Sequence, residues 1–238
     1  MRLHRAAPCC LRMIAVRMSS SSSEALPGIS YRLGSTLYLS LTDVANANTL
    51  VSTRGPQFKM PTTSGFQHLG GDREPSALQL AAVVDAHYSN NVDIIGMGEN
   101  DGGVAFAGLG EPTLRLGVML ETVRLVKERR HGVKFRLISN GLVDEDPVAV
   151  AEALHAGGVR SASIALMTAN PQQYAELMRP LNPALSHSTV CNFIVALSEA
   201  GVETEATVVK SPGVNVRDAK HLAEALGAVN FREREFFC

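Results

Sequence analysis

From residue 36 onward, short apolar runs alternate with segments whose apolar residues fall at helical spacing. LYLSLT (37–42), VAFAG (104–108), KFRLIS (134–139), SASIAL (161–166), ATVV (206–209) and FREREFF (231–237) read as strands. Between them, Ser76 caps a helical ALQLAAVVDAH, and 114–129 is apolar at Leu116, Met119, Leu120, Val123 and Val126. Asp146-Pro147 opens a further helix that Gly157-Gly158 stops, an N-cap, N1-proline and terminal-glycine arrangement. Helical patterns follow at 171–178, at 187–200 up to Gly201, and from Asn215 to Gly227. Six strands alternating with helices imply parallel pairing through right-handed crossovers. An open doubly wound sheet and a partial or full β/α barrel both fit. In either, ligands bind at the carboxyl ends of the strands, so each strand is read at its exit.

Length and composition narrow this to one α/β domain. The 238 residues are 45% hydrophobic and 19% charged, a globular balance. A net charge of −1 argues against a nucleic-acid or anionic-membrane surface, and no apolar run approaches the length of a membrane span. Cys9, Cys10, Cys191 and Cys238 form neither a disulfide framework nor a C-x-x-C pair. Residues 1–23 differ in kind: four arginines, no acid and a terminal run of serines match an organelle transit peptide. Mitochondrial import is the expectation, with plastid or cytoplasmic location as the alternatives, and the barrel domain is placed at 30–238.

The exits carry small and polar residues. After the first strand, LTDVANANTLVSTRGP is rich in turn formers. The second exit, GLGEPTLR, begins Gly108-x-Gly110 but lacks the third glycine of a dinucleotide fingerprint. Its glycines suit a backbone passing close to a ligand, with Glu111 as a polar contact. The plainer reading is a tight turn with Thr113 as helix cap. Ser139, Asn140 and Gly141 end the third strand, Ser163, Thr168 and Asn170 follow the fourth, and a Ser-Pro-Gly turn follows the fifth. The seven histidines show no metal-ligand spacing, and no nucleophile elbow or P-loop occurs.

In order, these segments resemble one family. A strand ending in Leu-Thr, a small-residue loop, Arg-Gly-Pro and Met-Pro, then G-x-G-E-P-T-L-R, I-S-N-G-L and N-P…Y…L-x-R-P are similar to the radical S-adenosylmethionine superfamily. The likeness is greatest to small TatD-associated members and covers about residues 36–236. It implies a partial, six-stranded parallel (β/α)6 TIM-like barrel. It also implies a 4Fe-4S cluster held by C-x-x-x-C-x-x-C in the first loop, whose open iron chelates S-adenosylmethionine. Here those positions are Ala45, Thr49 and Ser52, none of them a thiolate ligand. The resemblance further implies that Gly110, Glu111 and Pro112 lie at the ligand's amino group, with Gly108 also in the cofactor site. By the same likeness, Ser139 and Asn140 lie by its ribose and carboxylate, and Val208 and Val209 by the adenine.

The expectation is therefore a degenerate, non-catalytic member that retains S-adenosylmethionine or a similar small-molecule ligand and lacks the cluster. Two alternatives stand beside it. One is an active enzyme whose sequence is a variant or a gene-model error at the loop; the other is a barrel enzyme using Glu111 in acid–base chemistry.

Overall fold

A computed structural model describes residues 26–70, 73–90 and 101–238. The leader expected over 1–23, with Cys9 and Cys10, lies outside the described residues, as does most of the loop at 96–103.

Seven strands form one sheet in chain order: β1 (Ser30–Leu33), β2 (Thr36–Leu39), β3 (Val104–Phe106), β4 (Phe135–Ser139), β5 (Val159–Ala165), β6 (Glu203–Val209) and β7 (Asn230–Arg234). β2 to β7 pair in parallel, and only β1 is antiparallel to its neighbour. This is the six-stranded parallel sheet of a partial TIM-like barrel, with one strand more than the sequence predicts. The addition is a hairpin: Leu33 pairs with Thr36 across Gly34-Ser35, and Gly34 takes φ +60°, which glycine adopts without steric cost.

The helices α1 (Ala77–Asn90), α2 (Leu116–Lys127), α3 (Pro147–Gly157), α4 (Pro171–Met178), α5 (His187–Glu199) and α6 (Val216–Ala225) carry the crossovers. Their ends follow local chemistry. The Asp146 side chain accepts from the Val148 N–H, and Gly158 closes α3 in the left-handed conformation at φ +96°. Asn170 and Asn215 cap α4 and α6 in the same way. Each such cap contributes about 1 kcal/mol.

Strand alternation divides the sheet into two faces. On β4, Phe135, Leu137 and Ser139 are buried against the helices, and Arg136 and Ile138 point inward. Phe106 and Phe135 stack beneath the helices with ring centroids 5.7 Å apart. The apolar core thus lies between sheet and helices, which leaves the concave inner face free for polar groups.

Candidate functional site

The concave face encloses a cavity of about 1030 Å³, its open mouth included. The first loop contributes Ala45, Thr49 and Arg54 to its walls, the β3 exit Gly108, Gly110 and Glu111, and β4 Arg136 and Asn140. Thr207, Val209, Arg232 and Arg234 line the side formed by β6 and β7, and Tyr31 and Tyr38 the opposite edge.

Glu111 ties two strand exits together. Its carboxylate is buried and accepts from the Thr113 N–H at 3.1 Å, the Thr113 hydroxyl at 2.9 Å, the Ser139 hydroxyl at 2.8 Å and the Asn140 N–H at 2.8 Å. Burial raises its pKa above the ordinary carboxylate value, and the four donors oppose that shift. With its lone pairs turned to these donors, the side chain works as a clasp between β3 and β4. It also supplies the helix cap that the sequence assigns to Thr113.

The glycines beside it serve packing against the first loop. The Gly110 N–H donates to the Thr42 carbonyl at 3.2 Å, and the Glu111 N–H to that of Val44 at 2.9 Å. A Cβ on Gly110 would lie 2.4 Å from the Val44 oxygen. The close approach that the sequence ascribes to a ligand is here an approach to protein backbone. Arg115, the last residue of the G-E-P-T-L-R segment, donates to the carbonyls of Leu41 at 2.9 Å and Pro75 at 2.8 Å and pairs with Glu74 at 3.0 Å.

Asparagines hold the first loop in place. Asn46 donates to the Leu142 carbonyl at 2.8 Å and accepts from the Asn140 amide at 2.7 Å. Asn48 donates through its side chain to Leu177 at 2.8 Å and through its N–H to Met178 at 2.7 Å, at the end of α4. Arg54 stacks on Phe58 and donates to the Glu235 carbonyl at 2.8 Å, and the Phe237 N–H donates back to the Arg54 carbonyl at 2.8 Å. Gly55, at φ +97°, lets Phe237 pass; a Cβ there would lie 2.2 Å from the Phe237 oxygen.

Within this frame two of the three residues expected at a cluster, Thr49 and Ser52, bond to each other. The Ser52 N–H donates to the Thr49 hydroxyl at 3.1 Å, and the Ser52 hydroxyl donates to the Thr49 carbonyl at 2.8 Å. Ala45 and Thr49 line the cavity; Ser52 is exposed and does not. Ala45 has no donor atom, and hydroxyls are poor replacements for thiolates on iron, so the loop does not fit a 4Fe-4S cluster. Among the described residues, no group of three or more His, Cys, Asp or Glu side chains could hold a metal ion. Cys191 lies on α5 with its sulfur 3.8 Å from His187 Nδ1, and Cys238 is exposed next to Phe237.

Of the residues expected at a ligand, the structure brings Gly108, Gly110, Glu111, Asn140 and Val209 to the cavity. Pro112, Ser139 and Val208 are buried and do not line it. Pro112 starts the short helix after Glu111, Ser139 faces the clasp, and Val208 alternates onto the helix-facing side of β6. Sequence reading missed the inward arginines. Arg136 interrupts KFRLIS, where a parallel strand covered on both faces would be apolar throughout. That interruption was the available signal.

No family model matches the chain, and no curated protein matches it either. Solved structures do. SuiB of Streptococcus suis, in a crystal structure with S-adenosylmethionine bound, aligns with a TM-score of 0.60 at 12% identity over 86% of this chain and 40% of its own. A radical SAM methyltransferase from Sphaerobacter thermophilus aligns with a TM-score of 0.55 at 14% identity over 84% of this chain and 66% of its own. The radical S-adenosylmethionine methyltransferase TsrM of Kitasatospora setae, with tryptophan and a SAM analog bound, gives 0.56 at 12% identity over 84% and 36%. The chain thus spans about two fifths of SuiB and two thirds of the Sphaerobacter enzyme. At these identities the likeness is one of fold: the chain has the barrel of radical SAM enzymes. Among the described residues no helix is long and apolar enough to cross a membrane.

Proposed function

We propose that this barrel is a non-catalytic derivative of the radical SAM fold, which binds S-adenosylmethionine or a similar small molecule without reducing it. The observation that carries this reading is the first loop. It keeps its place over the cavity through Asn46, Asn48 and Arg54, while Ala45, Thr49 and Ser52 provide no thiolate. A loop that depended on a cluster for its shape would need the metal to fold; this one is satisfied by hydrogen bonds. The Glu111 clasp and the glycines keep the exits in position around an open cavity. Similar barrels were solved with S-adenosylmethionine or its analog bound, which supports a ligand of that class. Acid–base catalysis by Glu111 has less support, because the carboxylate is turned to four protein donors.

Anaerobic reconstitution with iron and sulfide, run beside calorimetric titration with S-adenosylmethionine, tests the proposal. Saturable binding of S-adenosylmethionine by an iron-free, colourless protein is expected. Uptake of several irons per chain, with a cluster charge-transfer band, would reject the non-catalytic reading, and no binding at millimolar S-adenosylmethionine would reject the ligand.

A further inference from the structure

Four arginines, Arg54, Arg136, Arg232 and Arg234, line the cavity on the concave face. Two of them are committed. Arg232 pairs with Glu205 at 2.9 Å, and the other Glu205 oxygen accepts from the Ser163 hydroxyl at 2.7 Å. Arg54 is turned by its bond to the Glu235 carbonyl and its stacking on Phe58.

Arg136 and Arg234 are different. Among the described residues neither side chain makes an ion pair or hydrogen bond, yet both residues are half-buried on the inner face. Arg136 pairs in register with Ala105 and Ser161, small neighbours that leave its long side chain room to extend into the cavity. Burial lowers the Arg234 pKa, the positive charges of Arg232 and Arg54 act in the same direction, and Glu205 and Tyr38 oppose the shift without reversing it. Glu205, next to Arg232, is already shared, and the carboxylate that lines the cavity, Glu111, is turned to its clasp.

A half-buried cation without a counter-ion costs free energy that an incoming anion recovers, and the guanidinium fork matches oxyanions in shape. We propose that Arg136 and Arg234 form an anion subsite in the barrel, flanked by Arg54 and Arg232, for a phosphate group of a small-molecule ligand. Two cations without a direct ion pair match the charge of a phosphate monoester, about −1.5 to −2 at neutral pH, better than that of a single carboxylate. The subsite shares the cavity with the proposed nucleoside ligand but rests on different residues, so it holds whether or not S-adenosylmethionine binds.

Calorimetric titration of the full chain with inorganic pyrophosphate and with phosphate, in chloride of matched ionic strength, tests the subsite. Saturable binding is expected, weakened at least tenfold in Arg136→Gln and in Arg234→Gln. The exposed Arg160→Gln on β5 should bind as the native chain does, and circular dichroism reports whether each variant is folded. If Arg234→Gln fails to fold, Arg234→Lys and Arg136→Gln carry the comparison. Absence of binding in the native chain, equal weakening in Arg160→Gln, or tighter binding of succinate than of pyrophosphate overturns the proposal. A parallel S-adenosylmethionine titration separates the two readings: its failure alongside retained pyrophosphate binding removes the nucleoside ligand and leaves the anion subsite standing.

Discussion

The side-chain amide of Asn140, at the end of β4, donates to the side-chain oxygen of Asn46 in the first loop at 2.7 Å. The same Asn46 donates to the Leu142 carbonyl at 2.8 Å. One side chain therefore fixes the loop that roofs the cavity to the strand exit opposite. Asn46→Ala removes both bonds and leaves the Asn140 amide and the Leu142 carbonyl unpaired. The expected loss is about 1–3 kcal/mol of stability, read by urea denaturation, with faster amide exchange across residues 44–54.

Glu111→Gln should cost more than its near-identical shape suggests. Whichever way the amide is turned, its NH2 faces a backbone N–H that now points at a carboxylate oxygen, either that of Thr113 or that of Asn140. A loss of about 1–3 kcal/mol in chemical denaturation is expected, with no matching penalty for Glu121→Gln on the exposed face of α2.

Gly110→Ala sets a methyl 2.4 Å from the Val44 carbonyl and 2.5 Å from that of Thr42. Both obstacles are backbone, so the loop has to move. Destabilisation of about 1–3 kcal/mol is expected by thermal unfolding, together with weaker binding of any ligand seated against the β3 exit.

Joint replacement Ala45→Cys, Thr49→Cys and Ser52→Cys should let the chain take up iron and sulfide under anaerobic reconstitution, with a visible charge-transfer absorbance. Ser52→Cys alone should stay colourless, because one thiolate does not hold a cluster. A triple variant that remains colourless while folded would show that the loop no longer has the geometry of a cluster site.

His187 gives the stability a pH dependence. Burial lowers its pKa below the ordinary 6.5, and its bond to the Thr168 carbonyl at 2.8 Å opposes that shift without reversing it. Below 6.5 the unfolded chain takes up a proton that the folded chain resists, so this contribution is complete above 6.5 and declines as pH falls toward the lowered value. Urea midpoints measured between pH 7.5 and 5 should fall on acidification, and His187→Gln should flatten that slope.

Much of the barrel is legible in the chain because its signals are local. Asp146-Pro147 and Gly157-Gly158 bound α3 through capping chemistry within a few residues. The apolar residues of β3 to β6 follow from burial of those strands against the helices. β1 escaped because SYRL is four residues long, and its pairing with TLYL depends on the turn at Gly34.

The site divides along the same line. The alternation of strands and helices follows from local pattern, and Ala45, Thr49 and Ser52 are not thiolates whatever the fold, since residue identity needs none. The alternation also directed attention to the strand exits, where parallel α/β sheets bind their ligands. What each exit touches depends on the folded chain. Glu111 meets Ser139 and Asn140 across 28 and 29 residues of chain, and Asn46 meets Asn140 across 94. Only the curvature of the sheet sends Arg136 from β4 and Arg234 from β7 into one cavity. Contacts between distant segments depend on strand register and sheet curvature, which no local pattern encodes.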